Sequence, residues 1–191
     1  IPPKGEEILP YYPYHLNEEQ LEFLLTEKYV LVLPDIAGMQ DTDSQLIKVF
    51  AERGGTVLLF GPHIPFGDLF DREALVGGQE QGLSRHAYVE IDEPLYTRVK
   101  PGRRFRAGNA AAGSWKPKAA KSAAVFEDGS AAVLVNAVGK GTVVTIPFSL
   151  SDAAQFMPEL IRDVLDSALA RRGLKRPFDI DGVSGDMDVS M

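Results

Sequence analysis

Two short apolar runs constrain the fold of this chain more than any other feature. The first is YVLVLPD at 29–35 and the second is TVLLFG at 56–61, and each run stops at a polar or glycine-containing loop. Continuous apolar runs of this length are typical of parallel strands that are buried on both faces of a sheet. The two runs therefore predict neighbouring strands in the centre of a layered α/β domain.

The segment between the two runs predicts a helix over 43–53. Leu46, Ile47 and Phe50 recur at helical spacing, and Asp41 or Asp43 is placed to cap the helix. Strand, helix and parallel strand form a β-α-β unit, which binds ligands at the carboxyl ends of its strands. Asp35 and His63 follow the two predicted strands, so both are candidate site residues.

Further patterns extend this unit into an α/β domain. Asn17 and Gln20 form a capping box for a helix over 17–27, the run at 142–147 predicts a third buried strand, and Pro158 suits the first turn of a final helix over 157–172. A short helix is expected within 68–76, a loop over 107–113, and short antiparallel strands over 86–137 as an appendage or edge. The fold predicted is a three-layer sandwich with a mainly parallel sheet.

Composition divides the chain into three parts. Residues 1–15 are rich in proline and tyrosine, which favours an extended segment, and residues 16–175 carry the α/β pattern. Residues 176–191 restart a strand-and-turn pattern, which indicates a linker or the start of a further β-rich domain. The first residue is isoleucine and no signal-peptide pattern follows it, so we interpret the chain as part of a longer protein.

Charge and residue content exclude several partners. The formal net charge is −7 and the sequence pI is about 5.0, whereas a nucleic-acid interface needs clustered lysine and arginine. The one basic cluster, 100–106, is interpreted as a solvated strand edge. No apolar run is long enough to span a membrane. There is no cysteine, so disulfides and thiolate sites are excluded while the cellular compartment stays open.

The order of these elements resembles a known family. The series YVLVLPD, helix, GGTVLLFG, short strands, AAVLVNAVGKGTVVTIPF and long helix is similar to the class I glutamine-amidotransferase-like domain of bacterial glycosidases, as in the trimerisation domain of family 42 β-galactosidases. The resemblance covers roughly residues 16–172. It implies a flavodoxin-like or class I amidotransferase-like fold, no cofactor, and contact with the remainder of a parent protein or with sister subunits.

The chain departs from that family at its catalytic motifs. Active amidotransferases carry a Gly-x-Cys-x-Gly elbow, and here the corresponding place, 61–65, reads GPHIP, with His63 in the position of the cysteine. The family's His-Pro-Glu motif corresponds to PFS at 147–149. Because nucleophile, base and orienting acid are all missing, we expect a non-catalytic structural or oligomerisation domain of a glycoside hydrolase.

An alternative function is kept from a different class. A hydrolase acting on a glycan or an amide could use Asp35, His63 and Glu90 at the carboxyl edge of the sheet. No metal site is expected, since His15, His63 and His86 have no helical spacing.

Aromatic residues provide the candidate ligand or interface positions. Trp115, in a predicted loop, is a candidate for carbohydrate stacking or a subunit contact, although a lone tryptophan is commonly a structural anchor. Tyr11, Tyr12 and Tyr14 form an apolar patch that predicts an interface or packing against the domain's own sheet.

Overall fold

The structure is a computed structural model that describes residues 17–35, 38–63, 66, 70–95 and 98–174. Within these residues, helices lie on both faces of a seven-stranded sheet, and two further strands form a small separate sheet. The helices are α1 (Glu18–Thr26), α2 (Asp41–Glu52), α3 (Arg72–Val76), α4 (Leu150–Phe156) and α5 (Pro158–Arg171). The strands are β1 (Val30–Pro34), β2 (Thr56–Phe60), β3 (Gly78–Arg85), β4 (Tyr88–Ile91), β5 (Arg104–Arg106), β6 (Ala111–Pro117), β7 (Lys121–Phe126), β8 (Ala131–Val138) and β9 (Gly141–Ile146).

The main sheet combines a parallel half and an antiparallel half. Its order is β1-β2-β9-β8-β7-β4-β5, with parallel pairing of β1 with β2 and of β2 with β9, and antiparallel pairing from β9 onward. The predicted α/β sandwich is confirmed. The antiparallel part is larger than the expected appendage, because β8, β7, β4 and β5 continue the same sheet, and only β3 and β6 stand apart from it.

Two hydrophobic layers hold the helices against the sheet. On β1, Leu31 and Leu33 belong to the layer beneath α1 and α2, while Val30 and Val32 pack against the opposite layer, which contains the apolar face of α5. Alternation of this kind follows from the two-residue period of a strand. The predicted parallel strands are therefore covered on both faces, as their continuous apolar sequences require.

The helix starts agree only in part with the predictions. The capping box of α1 is confirmed, since Asn17 Oδ1 accepts from the Gln20 amide at 2.9 Å and Gln20 Oε1 accepts from the Asn17 amide at 3.0 Å. The predicted caps of α2 are wrong: the helix begins after Gln40, and both Asp41 and Asp43 lie in its first turn. There their charge favours the amino end of the helix through its dipole.

The carboxyl-terminal helical region is divided at Met157. This residue is fully buried with φ −136° and ψ 48°, so α4 ends before it and α5 begins with Pro158 at its first position. Proline suits that position because the first amide of a helix has no intrahelical acceptor. The predicted start of the long helix near Met157 is confirmed.

The strands β3 and β6 differ from what the sequence predicted for residues 77–117. β3 was not predicted, and β6 begins at Ala111, inside the expected loop over 107–113. The two strands pair antiparallel, with Trp115 opposite Glu80. The expected short helix within 68–76 is α3, which begins at Arg72; positions 67–69 lie outside the described residues.

Arg172 connects three chain segments by hydrogen bonds at the amino edge of the parallel strands. Its guanidinium donates to the carbonyl oxygens of Leu25 at 2.9 Å, Lys28 at 3.3 Å and Gly54 at 2.5 Å. Burial lowers the pKa of this guanidinium from its ordinary value. One planar cation therefore joins the ends of α1, α2 and α5.

We expect Arg172→Lys to destabilise the protein by about 1–3 kcal/mol, because an ammonium group cannot reach three acceptors arranged for a planar fork. Urea unfolding at neutral pH measures the difference. Arg171→Lys is the matched control, since the Arg171 residue is exposed on the neighbouring position. Equal losses for the two variants would contradict the bridging role.

Candidate functional site

Asp35 lies at the carboxyl end of β1, as predicted, but its carboxylate is engaged in structure. Oδ2 accepts from the amide of Leu150, the first residue of α4, at 3.0 Å. The Asp35 amide donates to the Phe60 carbonyl oxygen at 3.1 Å, and the residue has φ 45°. A carboxylate placed at the amino end of a helix satisfies an amide that the helix itself leaves unpaired. Asp35 thus joins β1 to α4.

The turn after β2 begins at Gly61, where the resemblance to amidotransferases would place a nucleophile elbow. Gly61 has φ 129°, and its amide donates to the carbonyl oxygens of Ile146 at 3.2 Å and Phe148 at 3.0 Å. A Cβ at this position would lie 3.5 Å from Asp35 Oδ1 and 3.3 Å from the His63 carbonyl oxygen. The turn is therefore closely packed, and glycine is suited to its backbone conformation.

His63 is exposed at this turn. In the parts of the chain that the structure describes, no hydrogen bond or ion pair to its imidazole is found. A general base needs a group that orients it, and a nucleophile needs a base within about 3.2 Å. The geometry around His63 supplies neither.

Glu90 lies far from the other two candidates. It is on β4, which is separated from β2 by β9, β8 and β7, so the distance across the sheet is about 19 Å at about 4.8 Å per strand. Its Oε2 accepts from Arg104 Nε at 2.6 Å, on the neighbouring strand β5. The structure brings Asp35 and the turn of His63 to one edge and leaves Glu90 outside that site.

The residues after β9 have packing and capping roles. Phe148 is buried, with 1% exposure, and Ser149 Oγ accepts from the Asp152 amide at 3.0 Å, which caps α4. These are the positions at which the resemblance to amidotransferases would place the His-Pro-Glu motif. Among the described residues, this edge of the sheet is therefore built from caps and turns.

Trp115 does not lie in a loop, as was expected, but on β6, where its side chain is 0% exposed. The indole packs within the layer beneath α1, α2 and α3, so a sugar could not stack on it without rearrangement of the core. The anchoring role is the one that its burial supports. Tyr11, Tyr12 and Tyr14 lie outside the described residues.

A polar cluster that sequence reasoning missed lies beside β6, whose Ala112 pairs with Phe148 just after β9. Ser84 Oγ is 2.6 Å from His86 Nε2, and His86 Nδ1 is 3.8 Å from Glu127 Oε2. His86 is 2% exposed, and its ring stacks on Phe126 with centroids 3.7 Å apart. Sequence reasoning missed this cluster because β3, which carries Ser84, is rich in glycine and glutamine and has no strand signal, and because Glu127 is remote from His86 in the chain.

Glu127 links this cluster to the chain entering β4. Its Oε1 accepts from the Ala87 amide at 2.7 Å and its Oε2 accepts from the Tyr88 amide at 3.4 Å. Partial burial opposes the charge, yet these backbone hydrogen bonds and the neighbouring His86 hold the pKa of the carboxyl below its ordinary value of 4.5. Glu127 is therefore a carboxylate at neutral pH.

This lowered pKa gives a pH-dependent stability. Because the folded state binds the proton less tightly than the unfolded chain, the contribution of Glu127 is full above the unfolded pKa and is lost as the pH falls through the folded pKa. We expect the difference in unfolding free energy between the natural protein and Glu127→Gln to shrink as the pH falls from about 6 to about 3. Urea titrations at each pH measure it, and a difference independent of pH would contradict it.

Two acidic side chains of α5 are buried and contact Arg98. Asp163 is 0% exposed and accepts from the Arg98 amide at 2.9 Å, while Asp166 Oδ2 lies 3.3 Å from Arg98 Nε. The pair fixes the segment before Val99 against the helix. Across the described ranges, no group of three histidine or acidic side chains could hold a metal ion, and no helix is long and apolar enough to cross a membrane.

Comparisons with known proteins show similarity of fold. No protein-family profile and no curated protein sequence matches the chain. The structure is similar to a β-galactosidase from Bacillus circulans sp. alkalophilus, with a TM-score of 0.61 and 11% identity over 78% of this chain and 23% of that one. It is also similar to a GH42 β-galactosidase from G. stearothermophilus, with a TM-score of 0.57 and 20% identity over 77% and 22%.

A third similar structure is a cytoplasmic protein from Salmonella typhimurium, with a TM-score of 0.58 and 11% identity over 83% of this chain and 76% of that one. Identities this low show a shared fold and carry no activity with them. The chain spans less than a quarter of the length of the two β-galactosidases. The fold is thus one that occurs as a part of larger glycoside hydrolases.

Proposed function

We propose that this chain is a class I amidotransferase-like structural domain of a bacterial carbohydrate-active enzyme, and that it acts in subunit or domain association. It performs neither glycosidase nor amidase chemistry itself. The proposal is supported by the fold shared with β-galactosidases and by the small fraction of those chains that the fold occupies.

The single observation that carries the proposal is the use of Asp35. In this class of fold, ligands bind beyond the carboxyl ends of the parallel strands. Here the carboxylate at that position accepts from the Leu150 amide at 3.0 Å, and the adjoining Gly61 turn is closely packed against it. Because the Asp35 carboxylate caps α4, this edge of the sheet serves to hold the helix against β1.

The β1 edge of the sheet, which no other strand of the described residues covers, provides a surface for association. β1 is the first strand of the sheet order, and Val30 and Val32 are only half-buried. Beside it, Phe23 and Tyr29 are 45% and 37% exposed, and their rings contact each other with centroids 5.8 Å apart. An exposed strand edge flanked by aromatic side chains is a surface that proteins usually cover. We assign this edge to a sister subunit or to the remainder of the parent protein.

Light scattering over a range of protein concentrations tests this assignment. We expect concentration-dependent association that the double change Phe23→Glu and Tyr29→Glu abolishes, because charge on this surface opposes apolar contact. Leu83→Glu is the control, since Leu83 is 54% exposed on the separate β3–β6 sheet. If the chain is a monomer at every concentration, this edge is assigned to contact with the remainder of the parent protein. Turnover of aryl glycosides or glutamine by this chain would contradict the proposal.

His63 provides a second test, in the parent enzyme. Since its imidazole has no orienting partner among the described residues, we expect His63→Ala to change glycosidase activity of the parent by less than about tenfold, or about 1.4 kcal/mol of barrier. Steady-state rates with an aryl galactoside measure the effect. A loss of several orders of magnitude with an unchanged melting temperature would instead favour the hydrolase alternative.

A further inference from the structure

A group of side chains separate from Asp35 and His63 has the order of a nucleophile, a base and an orienting acid. Ser84 Oγ is 2.6 Å from His86 Nε2, and Glu127 Oε2 is 3.8 Å from the other ring nitrogen. An activated serine is recognised by a base within about 2.6–3.2 Å that is itself oriented by a third group, with looser distances in unliganded proteins. The distance from Ser84 to His86 lies within this range. The distance from His86 to Glu127, 3.8 Å, is longer than the range but points to the same arrangement.

The Glu127 carboxylate favours the tautomer of His86 that carries its proton on Nδ1. A proton on Nδ1 faces the Glu127 carboxylate, whereas a proton on Nε2 would turn Nδ1, with its lone pair, toward that negative charge. The first tautomer leaves Nε2 free to accept from the Ser84 hydroxyl. Stacking on Phe126 and 2% exposure hold the ring in this orientation. His86 is therefore oriented as a general base toward Ser84.

The serine is also accessible from solvent. Ser84 is half-buried rather than enclosed. Two positions earlier on the same strand, Gly82 has φ 117° and no atom within 4 Å of the place where a Cβ would stand. Residues two apart on a strand share a face, so this open space lies beside the hydroxyl. This space leaves room beside the hydroxyl for a small substituent such as an acyl group.

The geometry points to a serine acyl-transfer site at Ser84, His86 and Glu127 that accepts short O-acyl esters such as acetyl esters. Ser84 Oγ forms a bond to the acyl carbon, its proton passes to His86 Nε2, and the ester bond to the alcohol breaks as that proton is given to the leaving oxygen. Water then attacks the acyl-serine by the same proton path in reverse, which releases the carboxylic acid and restores the hydroxyl. Glu127 is a positioning residue that stabilises the charged imidazole.

The first test uses the natural chain with p-nitrophenyl acetate. We expect release of p-nitrophenol and, after an acid quench, an acetyl group on the peptide that contains Ser84. Ser84→Ala should abolish both signals, and His86→Gln should lower the rate by about 100-fold, as is typical for loss of a general base. Ser122→Ala is the matched control, because Ser122 is equally half-buried but donates to the Ala124 carbonyl oxygen. An unchanged rate in Ser84→Ala would overturn the site.

A second test does not depend on the folding of the His86 variant. The chain has no cysteine, so Ser84→Cys and Ser122→Cys each introduce one thiol. A thiol that gives its proton to a neighbouring imidazole reacts as a thiolate at neutral pH. We expect iodoacetamide to alkylate the Ser84→Cys variant at least about 10-fold faster than the Ser122→Cys variant. Equal or slower alkylation, with both variants showing the natural melting temperature, would overturn the proposal.

Discussion

Replacement of Gly141 by alanine is expected to destabilise the protein by about 3 kcal/mol or more, which is among the largest effects of a single methyl group. Gly141 begins β9 directly after the β8–β9 turn. A Cβ at this position would lie 2.1 Å from the Gly55 carbonyl oxygen and 2.3 Å from the Ala51 carbonyl oxygen. Both atoms belong to the backbone, so no side chain can move aside to make room.

The contact also cannot be relieved without breaking hydrogen bonds. The Lys140 amide donates to the Glu52 carbonyl oxygen at 2.9 Å, and the Thr142 amide donates to the Gly55 carbonyl oxygen at 3.1 Å. A shift that accommodates the methyl group separates β9 from the turn between α2 and β2. We therefore expect the loss to appear as reduced cooperativity as well as a lower midpoint in urea unfolding.

Two other glycines are the controls for Gly141→Ala. Gly38 and Gly129 both have no atom within 4 Å of an added Cβ, but Gly129 has φ 82° and Gly38 does not have a positive φ. Gly38→Ala should be neutral or slightly stabilising, while Gly129→Ala should cost about 1 kcal/mol through backbone strain alone. If Gly141→Ala unfolds at the same urea concentration as Gly129→Ala, steric exclusion at β9 is not the cause.

Trp115→Ala is expected to cost about 3–5 kcal/mol, the range for removal of a large buried aromatic side chain. The Trp115 side chain is 0% exposed and is the largest of the fully buried side chains. It joins the small β3–β6 sheet to the layer that contains the apolar faces of α2 and α3. Its loss leaves a cavity at the junction of the two sheets, so we expect their docking to weaken.

The fluorescence of the natural protein checks this assignment independently, since Trp115 is the only tryptophan of the chain. A buried indole should emit at short wavelength and resist quenching by acrylamide until the chain unfolds. Leu83→Ala is the control for the mutation, because Leu83 is 54% exposed on the same small sheet and should cost less than about 0.5 kcal/mol. Free access of acrylamide to the folded protein would contradict the burial of Trp115.

The parts of the fold that could be predicted were those with a strong local pattern. β1, β2 and β9 are continuous apolar runs because they are covered on both faces. The starts of α1 and α5 are indicated by Asn17 as a helix cap and by Pro158 in the first turn. β3 could not be found in this way. Its residues are mostly exposed and polar, and pairing with β6, which is distant in sequence, defines it as a strand.

The candidate site could be predicted only in part, because its side-chain contacts join residues that are remote in the chain. The sequence pattern correctly placed Asp35 and the His63 turn at the ends of adjacent strands, because parallel strands share their carboxyl edge. It could not show that the Asp35 carboxylate accepts from Leu150, since that partner is remote in the chain. Glu90 was grouped with them although strand order, which no local pattern reports, places three strands between β2 and β4.

The position of β9 between the two halves of the sheet has a consequence for the order of folding. β9 joins β8 through a tight turn, with Val138 opposite Gly141, but it joins β2 through the pairing of Thr56 with Thr142. Closing the first contact loses little chain entropy, and closing the second loses much more. We therefore expect the β7–β8–β9 meander to assemble before the β1-α2-β2 unit docks. Until it docks, β9 is a hydrophobic free edge on which a nascent chain is vulnerable to pairing with another molecule.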